Sequence, residues 1–164
     1  MAAMDTPPLL IVWHSRTGAS EALARAAGAG AGAGSQMMRA GEVSPDALLA
    51  ARGYLFVGPE NLAGLSGEMK EMFDRCYYPV LGRIEGRAYA TIIAAGSDGE
   101  GAQRQLDRIV TGWRLRRVMP GVIVNLGAQT APQIAAAKTV PQPALGDARS
   151  LGEAFAEGLA QGIF

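Results

Sequence analysis

Ser15, Arg16, Thr17, Gly18, Ala19 and Ser20 set three hydroxyl groups around one glycine within a single turn of chain. Small hydroxylated side chains donate hydrogen bonds without filling the space that a phosphate needs. What precedes and follows them adds to this. Leu9 to Trp13 is a short apolar run after two prolines, the pattern of a strand covered on both faces. Beyond the turn, Ala22, Leu23, Ala26 and Ala27 recur at helical spacing. The hydroxylated turn therefore opens a helix, where unsatisfied N–H groups and the macrodipole favour an anion. One reading is a seat for a phosphate monoester; the other is that Thr17 or Ser20 only caps the helix. The turn is not a Walker loop, since no Gly-Lys-Ser/Thr follows, and it lacks the GxGxxG dinucleotide fingerprint.

Size and composition bound what surrounds that turn. The 164 residues suit one domain spanning 1–164, and a hydrophobic fraction of 49% is ample for a core. Fifteen basic residues balance fifteen acidic ones, which leaves no electrostatic footprint for nucleic acid. Cys76 is the only cysteine, so no intrachain disulfide can form and a reducing, cytoplasmic setting is expected. Residues 1–8 show neither a basic start nor an apolar stretch, so no signal peptide is expected there. No run approaches the length of a membrane span.

Apolar periodicity then predicts alternating strands and helices. Gly28 to Ser35, an alternation of Gly and Ala, reads as a frayed helix end passing into a loop. Gln36 to Ala40 is a short second strand, and Ser44-Pro45-Asp46 starts a short helix with serine at its cap. Tyr54 to Val57 is the third strand, and 58–64 is a loop by its Gly, Pro and Asn content. A helix from Ser66 to Tyr78 buries Leu65, Met69, Met72, Phe73 and Cys76, presents Asp74 and Arg75 to solvent, and ends at Pro79 and Gly82. Ala88 to Ala95 is the fourth strand, and 96–101 is a flexible acidic turn. A helix through Gln103, Leu106, Ile109, Val110 and Trp113 precedes a fifth strand at Val122 to Asn125. Ala128 to Ala144 is a long connection with one helical turn at Ile134 to Ala137. The last helix carries Leu151, Ala154, Phe155, Leu159 and Ile163.

Such alternation implies an α/β three-layer sandwich around a five-stranded parallel sheet with right-handed crossovers. Five strands suit the order 2-1-3-4-5, whose switch point lies between strands one and three, outside their carboxyl ends. Loops 15–20, 58–64 and 96–101 should meet there. Trp13 and Trp113 are expected in the core. His14 is expected as a hydrogen-bonded residue at a strand end. No Ser-His-Asp arrangement follows from His14 and Ser15, which as neighbours on a strand face opposite ways.

Ser-x-Thr-Gly-x-Ser resembles the phosphate loop of flavodoxins and flavodoxin-like FMN oxidoreductases. Gly58 to Arg75 is similar to the loop and helix of flavodoxin-fold NAD(P)H:FMN and quinone reductases, matching at Pro59, Ser66, Gly67, Met69, Lys70, Phe73, Asp74 and Arg75. AAGSDGEGA resembles the flavin-edge loop. The resemblance covers nearly the whole chain. It implies that Ser15, Arg16, Thr17, Gly18, Ala19 and Ser20 contact the phosphate of FMN. Pro59, Glu60, Asn61 and Leu62 would line one side of the isoalloxazine, and Gly96, Ser97, Asp98 and Gly99 would cover the other edge. Acids at 60, 98 and 100 either lower the flavin's potential or are exposed loop charges.

The departures from the pattern are informative. Neither ring-side loop holds an aromatic residue, and Glu60-Asn61 stands where the reductases usually carry threonine and an aromatic. Either the ring face is left open for a nicotinamide or quinone, or FMN binds weakly. Tyr77 and Tyr78 pack in the core or an interface, or supply the missing ring. The resemblance implies an oxidoreductase moving electrons from NADH or NADPH to a small acceptor such as a quinone or flavin, with self-association into a homo-oligomer. The competing functions are an electron-carrier flavodoxin without a substrate of its own and a flavin-free interaction domain.

Overall fold

The computed structural model describes residues 6–164; residues 1–5, part of the stretch read for a signal peptide, lie outside the described residues. The chain runs β1 (Leu9–Trp13), α1 (Ala19–Ala31), β2 (Ser35–Arg39), α2 (Pro45–Ala50), β3 (Gly53–Asn61), β4 (Gly64–Leu65) and α3 (Gly67–Val80). It continues through β5 (Ala88–Ala95), α4 (Glu100–Gly112), β6 (Arg116–Arg117), β7 (Val122–Asn125), α5 (Ala131–Ala135) and α6 (Gln142–Ala160). The parallel sheet has the order β2-β1-β3-β5, with β6 and β7 both pairing along the outer side of β5. The expected five-strand order 2-1-3-4-5 is thus present with its fifth strand cut in two, and β4 adds a short antiparallel piece to β3. At the break the chain packs closely under α4. Gln103 of α4 lies where a Cβ on Gly121 would stand, 2.6 Å from its Oε1, and that Oε1 accepts the Thr91 hydroxyl at 2.9 Å.

Strand alternation sorts the core into two layers. Leu9 and Ile11 join Leu55, Val57, Ala90 and Ile92 against α1 and α6. Leu10, Val12, Tyr54, Phe56, Tyr89 and Ile93 face α2, α3 and α4. On that second side Phe56, Phe73 and Trp113 pack in series, the first pair tilted and the second edge-on, with ring centroids 5.1 Å apart at each step. Met69, Met72 and Cys76 are buried there as expected. Trp13 is only half-buried, with the Arg39 guanidinium 5.6 Å from its ring centroid.

Several local expectations are corrected. The Gly-Ala run does not fray: α1 continues through Gly28 and Gly30 to Ala31. Its glycines serve close packing, since a Cβ on Gly30 would lie 2.0 Å from the Arg149 carbonyl oxygen, and one on Gly152 of α6 would lie 2.0 Å from that of Ala27. Pro79 sits inside α3, which ends at Val80. Ile163 lies beyond α6 and is exposed. Arg75 is exposed as expected, but it is more than a surface charge: besides pairing with Glu71 it donates to the carbonyls of Ala40 and Val43 and clamps the turn after β2. Tyr78 and Leu81 are exposed and Tyr77 borders on it, so the tyrosines are not core residues.

Candidate functional site

β1 ends in the hydroxylated turn, which enters α1 through Gly18 at φ 100, a left-handed conformation that glycine adopts without penalty. The peptide between Thr17 and Gly18 is held from both sides. The Gly18 N–H donates to Ser15 Oγ at 3.1 Å, and the Thr17 carbonyl accepts the Lys138 N–H at 2.8 Å. The first intrahelical bond is Ala22 N–H to the Gly18 carbonyl, so the amides of Ala19, Ser20 and Glu21 have no acceptor within the helix. No side chain caps this end, which overturns the capping reading of Thr17 and Ser20. The Ser20 hydroxyl is 1% exposed and has no hydrogen-bond partner. A buried, unsatisfied hydroxyl costs about 1–3 kcal/mol and therefore calls for an explanation.

That explanation lies in the space beside it. A cleft of about 910 Å³ opens at the carboxyl ends of the sheet. The turn contributes Ser15, Arg16, Thr17, Ala19 and Ser20 to its lining. The end of β3 contributes Pro59, Glu60, Asn61 and Leu62, and the end of β5 contributes Gly96 and Ser97. The three segments expected to meet do meet. Gly18, Asp98 and Gly99 do not line the cleft: Gly18 shapes the turn, and Asp98 is exposed and accepts from the Glu100 N–H. A fourth segment was not anticipated, with Leu126, Ala128, Ile134, Ala135 and Lys138 forming another side. Among the described residues, none that lines the cleft is aromatic.

The segment 58–64 is a hairpin rather than an irregular loop. β3 extends to Asn61, pairs back through β4, and turns over Leu62 and Ala63 at φ 50 and φ 64. Two adjacent left-handed residues are the geometry of a type I′ hairpin turn, which usually employs Asn or Gly. Leucine and alanine there are strained. Leu62 at the tip is fully exposed on the cleft rim. Four contacts fasten this hairpin to the α4 end of the cleft. Glu60 accepts the N–H groups of Gly99 at 2.9 Å and Ala102 at 3.1 Å, Gln105 Oε1 accepts the Leu65 N–H at 2.6 Å, and the Ala63 carbonyl lies over Gly101. Glu60 borders the cleft, yet it is not a free loop charge. It supplies from a distant strand the cap that Gly99 lacks at the N-terminus of α4. A matching tie runs across the far side, where Asn125 Nδ2 donates to the Ser97 carbonyl at 2.6 Å and its Oδ1 accepts the Gly127 N–H at 2.9 Å.

His14, just before the turn, is 4% exposed. Its Nδ1 lies 2.7 Å from Ser66 Oγ and its Nε2 lies 3.4 Å from Glu68 Oε2, while its backbone N–H donates to the Val57 carbonyl. Burial holds its pKa below the usual 6.5; Glu68 opposes that shift, and Arg39 and Arg16 add to it. The strand-end histidine was expected, but its partners were not. Ser66 was read as the cap of α3, yet its side chain makes no capping bond. Serine, histidine and glutamate here form a line, but Ser66 is 1% exposed and no substrate reaches it. The cluster locks the end of β1, next to the hydroxylated turn, to the start of α3. Tyr77 and Tyr78, at the far end of α3, do not reach the cleft. Among the described residues, no group of three or more His, Cys, Asp and Glu side chains could hold a metal ion.

A search of solved structures returns close architectural matches. A flavodoxin from the domain Archaea superposes with a TM-score of 0.74 at 18% identity, over 93% of this chain and 98% of that one. The chain has the flavodoxin-like fold. A flavodoxin, WrbA-like protein from Agrobacterium tumefaciens matches this flavodoxin-like chain with a TM-score of 0.69 at 21% identity, over 93% and 97% of the two chains. The flavodiiron core from Synechocystis gives 0.76 at 13% identity, over 97% of this chain but 37% of that one. No protein-family model matches the chain, and no curated protein matches it by sequence. Among the described residues, no helix is long and apolar enough to cross a membrane.

Proposed function

We propose that the cleft binds flavin mononucleotide and that the protein passes electrons from NADH or NADPH to a quinone, a flavin or a similar small acceptor. One observation carries the reading: the buried, unpartnered Ser20 hydroxyl stands beside unsatisfied first-turn amides on the wall of an open cleft. A phosphate oxygen would satisfy those donors together. Ser15, Thr17 and Ser20 would hold that phosphate, and Arg16 would add positive charge. Pro59, Asn61 and Leu62 would lie along one side of the ring, with Gly96 and Ser97 along the other. Bound flavin would supply the electron-transfer chemistry, so no separate catalytic acid or base is required.

The chain's own work is to place the ring and keep one side accessible. The aliphatic rim favours an enzyme over a carrier, because Leu62, Leu126 and Ile134 cover less of a ring than stacked aromatics would. The second reading, an electron carrier without its own substrate, is favoured by the match to flavodoxins over nearly their whole length. A cytoplasmic location and self-association into a homo-oligomer belong to the same proposal, and sedimentation of the purified protein tests the latter. The deciding experiment adds NADH or NADPH to FMN-loaded protein without a partner enzyme and follows the flavin absorbance. Rapid bleaching supports the enzyme. A flavin reduced only through an added partner enzyme supports the carrier.

A further inference from the structure

Lys138 stands where the fourth side of the cleft meets the phosphate turn. Its main-chain N–H donates to the Thr17 carbonyl at 2.8 Å, which fixes where its side chain starts. Its Nζ donates to the carbonyls of Ile134 at 2.8 Å and Ala136 at 2.6 Å. An ammonium has three N–H donors, so one donor and the full charge remain. Lys138 lines the cleft together with Arg16, and among the described residues neither is paired with a carboxylate. The orphaned Ser20 hydroxyl on the same cleft is an independent sign of an absent anionic or acceptor group. The segment bearing Lys138 is itself thinly supported. Ala131 to Ala137 are all exposed, and Ile134 presents an apolar side chain to the cleft with 56% of it uncovered.

We propose that Lys138 is a phosphate-binding residue of the cleft, its ammonium held by carbonyls of the α5 segment so that it contacts the phosphate monoester seated at the N-terminus of α1. The assignment rests on the flavin mononucleotide reading above. It adds a point charge that the three expected loops do not supply, and it accounts for an otherwise exposed segment lying against the phosphate turn. It also sets ligand preference: a phosphorylated flavin gains from Lys138 what riboflavin cannot.

The test compares wild-type protein with Lys138→Met and Lys138→Arg in titrations with FMN and with riboflavin, followed by flavin fluorescence. A lost charge-assisted hydrogen bond corresponds to a weakening of about tenfold or more. The expected result is that loss for FMN in Lys138→Met, retention in Lys138→Arg, and less than about twofold change for riboflavin. The salt dependence of FMN binding should also flatten in Lys138→Met, which serves where riboflavin binding is too weak to titrate. Unchanged FMN affinity, or equal losses for FMN and riboflavin, would overturn the assignment and leave the flavin reading intact, with Lys138 as a strut of the α5 segment only. If wild-type protein ignores both flavins, the flavin reading fails, and inorganic phosphate decides the rest. Protection of amides 15–22 from hydrogen exchange by phosphate, lost in Lys138→Met, retains the contact; no protection in wild type overturns it.

Discussion

Replacing Glu60 with alanine removes the one side chain that accepts the N–H groups of Gly99 and Ala102 at the start of α4. Gly99, the N-cap residue, has no side-chain oxygen to take over. Loss of a helix cap costs about 0.5–2 kcal/mol. Loss of a negative charge from a helix N-terminus adds about 0.3–1 kcal/mol. A total near 2 kcal/mol is expected for Glu60→Ala, and about 1 kcal/mol for Glu60→Gln, which keeps an acceptor and loses the charge. In a chain of this size the larger loss lowers the melting temperature by roughly 4–8 °C. Urea and thermal unfolding give both numbers, and hydrogen exchange should show the Gly99 and Ala102 amides opening faster. A loss under about 0.5 kcal/mol for Glu60→Ala, or no faster exchange at those two amides, would refute the capping role. Glu60 would then return to being a solvated loop charge.

Two further outcomes follow from the packing and the buried histidine. Gly152→Ala should destabilise by about 1–3 kcal/mol or more, because its Cβ would meet the Ala27 carbonyl oxygen at 2.0 Å and α1 and α6 would have to separate; an unchanged urea midpoint would contradict it. His14 has a folded-state pKa below 6.5, so between the two values the unfolded chain binds more protons. Its contribution to stability is therefore complete above about pH 6.5 and is lost as pH falls through the folded pKa. Urea midpoints measured from pH 7.5 to 5 should decline more steeply for wild type than for His14→Asn, and parallel curves would exclude the effect.

What local pattern could carry was legible in the residues. Ala88–Ala95 and Val122–Asn125 are strands at the expected bounds, and the hydroxylated turn, the end of β3 and the end of β5 converge on one cleft. The failures share a cause, which is dependence on a distant partner. The Gly-Ala run reads as a broken helix by propensity, yet α6 approaches so closely that only glycine fits at 30 and 152. Glu60 looks like a loop acid because its two acceptor roles lie some forty residues along the chain. Ser66 has the type and place of a cap, but His14 claims it. The fourth side of the cleft was hidden because 128–144 carries weak periodicity, and the signal that could have found it was Lys138, the only charged residue in that stretch. Leu62 and Ala63 break the usual turn chemistry at the cleft rim, where strain is most often kept for function.

The most direct test of the phosphate seat is a fluorescence titration of the protein with FMN, run beside Ser20→Val. A hydroxyl that binds phosphate is worth about 0.5–1.5 kcal/mol or more, and valine also crowds the seat. Saturable 1:1 quenching by wild type, weakened about tenfold or more in a folded Ser20→Val, is the expected result. No FMN binding by wild type at millimolar concentration, or equal affinity in the two proteins, would contradict it.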